Sequence, residues 1–140
     1  SRSPIVADIG QFPVWPRPIR ALMRPLQTSA AGMSTQQRFI ETISANIANA
    51  DVTRTDAGGP YQRQVAVNTG NGTTIVKDTS EGRLVYDPGH PDADATGYVH
   101  MPNVDIATEM VDLMVARRMH EANASVFQAA KGMLRRALDI

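Results

Sequence analysis

Residues 26–50 read LQTSAAGMSTQQRFIETISANIANA, and this stretch decides how the rest of the chain is understood. Large apolar residues recur every seven positions at Leu26, Met33, Ile40 and Ile47, with Ile43 and Ala30 in between. A repeat of seven keeps one narrow line of side chains on one side of an α-helix, as in a coiled-coil seam. The remaining surface is small and polar, with Ser29, Ser34, Thr35, Gln36, Gln37, Ser44, Asn46 and Asn49. Such a helix is marginal alone in water and draws its stability from a partner.

A second helix is predicted after Asn103-Val104-Asp105, running from Ile106 to about Asp139. Asp105 can cap the first free amides, Glu109 sits near the positive end of the helix dipole, and Arg135 and Arg136 sit near the negative end. Ile106, Met110, Leu113, Met114, Phe127, Leu134 and Leu138 follow helical spacing, and Arg117, His120 and Lys131 interrupt the stripe. Four of the seven methionines lie in this helix, which suits either an adaptable contact surface or ordinary core packing.

Proline and glycine divide the chain. Five of nine prolines precede residue 26, and seven of ten glycines lie between Gly58 and Gly97. The layout is a Pro-rich leader over 1–25, extended or disordered, then a helix over 26–50, a β/loop segment over 51–104 and a helix over 105–140. The fold class is mainly α: two long terminal helices packing as a coiled-coil-like pair, with a small irregular β/loop segment between them. Within that segment, residues 61–68 and 73–78 flank Gly70-Asn71-Gly72 as a hairpin, and residues 83–86 and 97–101 are further extended candidates. Residues 1–22 lack the uninterrupted apolar core of a secretory signal. They read as a tail, with Phe12, Val14 and Trp15 as an alternative docking spot and Met23 as an alternative start.

The 140 residues suffice for one ordinary domain, contain no cysteine and are only 5% aromatic. No apolar run approaches the length that spans a bilayer, so direct membrane insertion is not expected. Charge is balanced overall, which gives no reason to expect nucleic acid, but it is unevenly placed: +4 over 1–40, −7 over 41–116 and +3 over 117–140. Neighbouring copies could therefore attract end to middle.

No nucleophile, phosphate-loop or zinc-protease motif is present, and no cofactor is expected. Asp87, His90, Asp92 and Asp94 form the one cluster with chemical potential. Their spacing fits neither a calcium loop nor a zinc site, and Pro88, Gly89 and Pro91 favour a rigid turn in which Asp side chains bond nearby amides. A metal-binding protein built on this cluster and a soluble coiled-coil adaptor are the alternatives to a structural role.

Residues 44–50 (SANIANA) with Thr53 resemble the N-terminal signature of bacterial flagellar axial proteins. Residues 109–114 (EMVDLM), Arg117 and residues 120–123 (HEAN) resemble their C-terminal helix. Residues 59–63 (GPYQR) and 84–94 (LVYDPGHPDAD), with residues 97–99 and 101–104, resemble the basal-body rod proteins of that group. The motif residues are Asn46, Asn49, Asp87, Pro88, Gly89, Pro91, Asp92, Asp94, Glu121 and Asn123. The resemblance implies a non-enzymatic subunit of the proximal rod, exported without a cleaved signal through the flagellar type III apparatus and assembled in the periplasm. It implies as partners other rod proteins, copies of itself, the inner-membrane ring or rod adaptor and the export apparatus. By motif position, Asn46 and Asn49 are expected to bond backbone where the first helix ends. The expected seam brings Leu26, Met33, Ile40, Ile43 and Ile47 against Met110, Leu113, Met114, Phe127, Leu134 and Leu138, within or between subunits.

Overall fold

The computed structural model describes residues 16–139, so the Phe12, Val14 and Trp15 spot lies outside the described residues. Helix α1 spans Arg17–Ala48 and contains Pro25. It begins well before residue 26, where the proline content suggested an extended leader. Pro18 falls in the first turn, where no amide donor is needed, and Arg20 N–H already donates to the Pro16 carbonyl at 2.9 Å. Only Pro25 interrupts the backbone ladder, at a cost of about 3 kcal/mol.

At its other end α1 is closed by Asn49, which donates both its backbone N–H (3.1 Å) and its side-chain amide (2.8 Å) to the Ala45 carbonyl. The chain then enters two antiparallel hairpins. Strand β1 (Gln64–Thr69) pairs with β2 (Gly72–Lys77), with Thr69 opposite Gly72 across the Gly70-Asn71 turn. Strand β3 (Leu84–Tyr86) pairs with β4 (Tyr98–His100), with Val85 opposite Val99. Gly97 has φ +88°, and a Cβ there would stand 2.9 Å from the Tyr86 ring, so the bend before β4 takes no side chain. That bend lets Tyr86 and Tyr98 meet edge to face at 5.2 Å.

Helix α2 spans Ile106–Leu138. Asp105 caps it, accepting Ala107 N–H at 3.1 Å and the Thr108 hydroxyl at 3.2 Å. The chain separates into two compact units, one made of Ser1–Gly32 with Glu121–Ile140 and the other of Met33–His120. In the first unit the described residues are segments of the two helices alone. The second holds the following part of α1, both hairpins and the start of α2.

Candidate assembly interface

Within each unit the two helices meet along lines that advance alternately by three and four residues. In the first unit, Ser29 of α1 and Ala130 of α2 are buried, with Leu26, Asn123, Phe127 and Leu134 half-buried. A Cβ on Gly32 would lie 2.7 Å from the Asn123 side-chain amide, so the Asn123 side chain packs directly onto α1 at that point. In the second unit, Gln36, Thr42 and Asn46 of α1 and Glu109 and Ala116 of α2 are buried, with Met33, Ile40, Ile43, Ile47, Leu113 and His120 half-buried. Small and polar residues thus hold the tightest positions. The larger apolar residues flank them.

The second unit is locked by a buried polar network where α1 ends and α2 begins. Asn46 is 0% exposed and uses both ends of its amide. Its nitrogen donates to the Gln64 carbonyl (2.8 Å) and toward Glu109 Oε2 (3.5 Å), while its oxygen accepts Gln64 N–H (2.9 Å) and the Tyr61 hydroxyl (2.8 Å). Asn46 therefore imitates a β-strand neighbour, pairing the end of α1 with the first residue of β1. Glu109, 1% exposed, accepts from Arg63 Nε. Arg63 also faces Asp78 at 3.6 Å, and its backbone N–H donates to Asn103 Oδ1 at 2.7 Å. Asn103 in turn donates to the carbonyls of Asp78 and Ser80.

The hydrogen bond that Arg63 donates to Glu109 raises the Arg63 pKa further, so this guanidinium stays charged. Burial, seconded by the Glu109 charge, pushes the Tyr61 phenol up and keeps it a donor. A buried carboxylate at the start of a helix is tolerated because every partner it needs is in place.

Residues 87–94 form a turn latched to the loop that follows α1. Asp92 accepts the Thr53 hydroxyl (2.7 Å) and Arg54 Nε (2.8 Å), and its own N–H donates to His90 Nδ1 (3.0 Å). The Thr53 and Arg54 bonds hold its carboxyl below the usual range. Asp94 accepts the Thr96 hydroxyl and the amides of Thr96 and Tyr98, with the same effect. Among the described residues no group of three or more His, Cys, Asp or Glu is placed to hold a metal ion.

Two stretches of the sequence match known families: residues 26–54 match the family described as "Flagella basal body rod protein", and residues 95–140 match "Flagellar basal body rod FlgEFG protein C-terminal". The chain is 39% identical to the flagellar basal-body rod protein FlgC of Bacillus subtilis, over 82% of this chain and 95% of the relative. It is 37% identical to FlgC of Borreliella burgdorferi (85% and 97%) and 34% identical to FlgC of Salmonella typhimurium (86% and 98%). The chain belongs to the FlgC family of flagellar basal-body rod proteins.

As a FlgC-family member it is a structural subunit of the flagellar basal-body rod. The two matched stretches carry Asn46 and Glu109, which the fold brings into the same network. Of the motif residues, Asn46 and Asn49 both bond backbone, Asp92 holds the latch, Asp94 closes the turn onto Thr96 and Tyr98, and Asn123 packs against Gly32. Asp87 contributes backbone bonds to Gly97 and His90, and Pro88, Gly89, Pro91 and Glu121 are exposed.

Of the expected seam residues, Leu26, Met33, Ile40, Ile43, Ile47, Leu113, Phe127 and Leu134 are half-buried along the helix lines. Met110, Met114 and Leu138 are exposed, Met114 by 64%. His120 lies on the inward line of α2 and does not interrupt it. Ser29, Gln36 and Asn46, read from the sequence as polar surface, are buried, and Thr42, Ala116 and Ala130 were passed over, because small and polar residues carry no apolar signal. Arg63, which sits in the GPYQR motif, was the available clue to a buried carboxylate partner.

Proposed function

We propose that this FlgC-family chain polymerises helically with related rod proteins and with itself, forming part of the proximal rod, the shaft that carries torque for motility. One observation carries the reading. Beyond the helix pair, α2 leaves a second run of apolar side chains exposed, including Met110, Val111, Met114, Val115, Met119, Val126, Met133 and Leu138. Fully burying a side chain of this kind is worth about 1.5–3 kcal/mol, so covering half-exposed ones along a whole helix rewards association strongly. Contacts between unlike surfaces propagate into an open helix when their rotation does not close into a ring.

In this reading the seam residues Leu26, Met33, Ile40, Ile43 and Ile47 with Leu113, Phe127 and Leu134 hold the helix pair, while Met110, Met114 and Leu138 face neighbouring subunits. Assembly then completes folding. The helix pair of the first unit has little apolar width, and ordering each residue costs about 1–2 kcal/mol of backbone entropy. It becomes rigid once neighbours surround it. Export through the type III apparatus, assembly in the periplasm, and contacts with the inner-membrane ring or rod adaptor extend the same reading and rest on the family.

Replacing Ile40 or Leu113 with Asp should abolish rod assembly and motility while expression persists. Normal swimming by cells carrying either variant as their sole copy overturns the seam. In dilute solution the chain should show less helix than the assembled form, read by far-UV circular dichroism. A single cooperative melt of a dilute monomer with full helix content overturns coupled folding.

A further inference from the structure

The surface of the second unit holds a partly open cavity of about 280 Å³ lined mainly by apolar side chains, among them Phe39, Ile43, Val65 and Ala66, with the exposed Val115 and Met119 at its rim. Two features show that it is not simply a packing defect. Gln36 borders it, is only 6% exposed, and its Oε1 has no hydrogen-bond donor among the described residues. A buried acceptor of this kind costs about 1–3 kcal/mol while it remains unpaired. Arg63, Glu109 and Asp112 also border the cavity. Arg63 is engaged by Glu109 and Asp78, whereas Asp112 has no hydrogen bond or ion pair among the described residues. Arg63 is thus bonded to two carboxylates, and Asp112 feels its charge without a bond to it. Its neighbours one helical turn away, Thr108, Glu109, Val115 and Ala116, supply no cation. The cavity asks for an apolar side chain with a cationic donor beside it.

The same chain carries that combination near the end of α2. Met133 is 50% exposed, and Arg136, exposed and three residues on, stands next to it on one helix face. The two regions have opposite charge, −7 over residues 41–116 and +3 over residues 117–140. We propose that the cavity of one copy receives the end of α2 of a second copy, with Met133 lying against the apolar lining and Arg136 pairing with Asp112. The proposal rests on the rod reading and names one of its contacts. Each copy offers one socket and one plug, so the contact is head to tail and leaves a free socket at one end of every chain of subunits.

The absence of cysteine makes the contact directly testable in the full chain. A Val115→Cys/Met133→Cys double variant, oxidised under self-associating conditions, should give a ladder of disulfide-linked oligomers, while each single variant gives none. Arg136→Asp should weaken association on the order of ten-fold or more, and adding Asp112→Arg should restore it to within about three-fold. Sedimentation of the unmodified chain in parallel separates the two readings. If it polymerises and Arg136→Asp polymerises equally, with no ladder, the socket is wrong and the rod reading stands. If the unmodified chain never self-associates, the second-copy contact falls too. Linkage of Val115→Cys to a different rod protein in isolated basal bodies also overturns the second-copy assignment.

Discussion

Asn46→Ala should unfold the Met33–His120 unit at a far lower temperature than the parent chain. The amide makes four hydrogen bonds from a fully buried position, at 2.8, 2.8, 2.9 and 3.5 Å. Removing it leaves the Gln64 N–H and carbonyl, the Tyr61 hydroxyl and Glu109 Oε2 without those partners. Gln64 and Tyr61 are half-buried, so water can reach some of these groups. Counting only the least accessible at about 1–3 kcal/mol each gives a loss of about 3–4 kcal/mol. For a unit of this size about 4–8 °C accompanies each kcal/mol, so the midpoint should fall by about 12–30 °C.

All three tyrosines, Tyr61, Tyr86 and Tyr98, lie in this unit, so tyrosine fluorescence during thermal and urea unfolding reports on it. Asn46→Asp is the companion. It keeps the acceptor for Tyr61 and Gln64 but places a second carboxylate beside Glu109. Burial and that charge raise the new group's pKa above its unfolded value, so the folded state binds its proton more tightly. Its deficit relative to the parent chain should therefore shrink as pH falls toward the carboxylate range. A loss under about 1 kcal/mol for Asn46→Ala, or a pH-independent deficit for Asn46→Asp, refutes the lock as described.

Three other outcomes follow from local geometry. Gly82→Ala should cost about 2–3 kcal/mol by urea unfolding, because its Cβ would collide with the Met101 carbonyl and stand 2.8 Å from the Pro102 carbonyl carbon, which cannot swing aside. In the first unit, Gly32→Leu should lower helicity by circular dichroism because of Asn123, and an added Asn123→Ala should recover part of it. Asp92 and Asp94 have folded pKa values below their unfolded ones, so their contribution is present at neutral pH and is lost as pH falls through the lowered values. Asp92→Asn should accordingly be less stable than the parent chain at pH 7 and nearly equal to it near pH 2, as measured by urea unfolding.

By itself the sequence determined the two helices, the hairpin at Gly70-Asn71, the cap at Asp105 and the rod-protein character of the chain. Each is local: a seven-residue repeat, a turn dipeptide, a short acceptor before an apolar run, or a contiguous motif. It misjudged the start of α1, because proline content was counted without asking which prolines sit where an amide is not needed. Only the tertiary structure decided that Asn46 and Glu109 share one network across 63 positions of chain. It alone also decided that Met110, Met114 and Leu138 face outward, and that the tightest helix contacts belong to Ser29, Gly32, Gln36 and Ala130. A polar or small residue gives no periodic hydrophobic signal, and its role depends on how near another backbone comes, which is fixed when the elements pack.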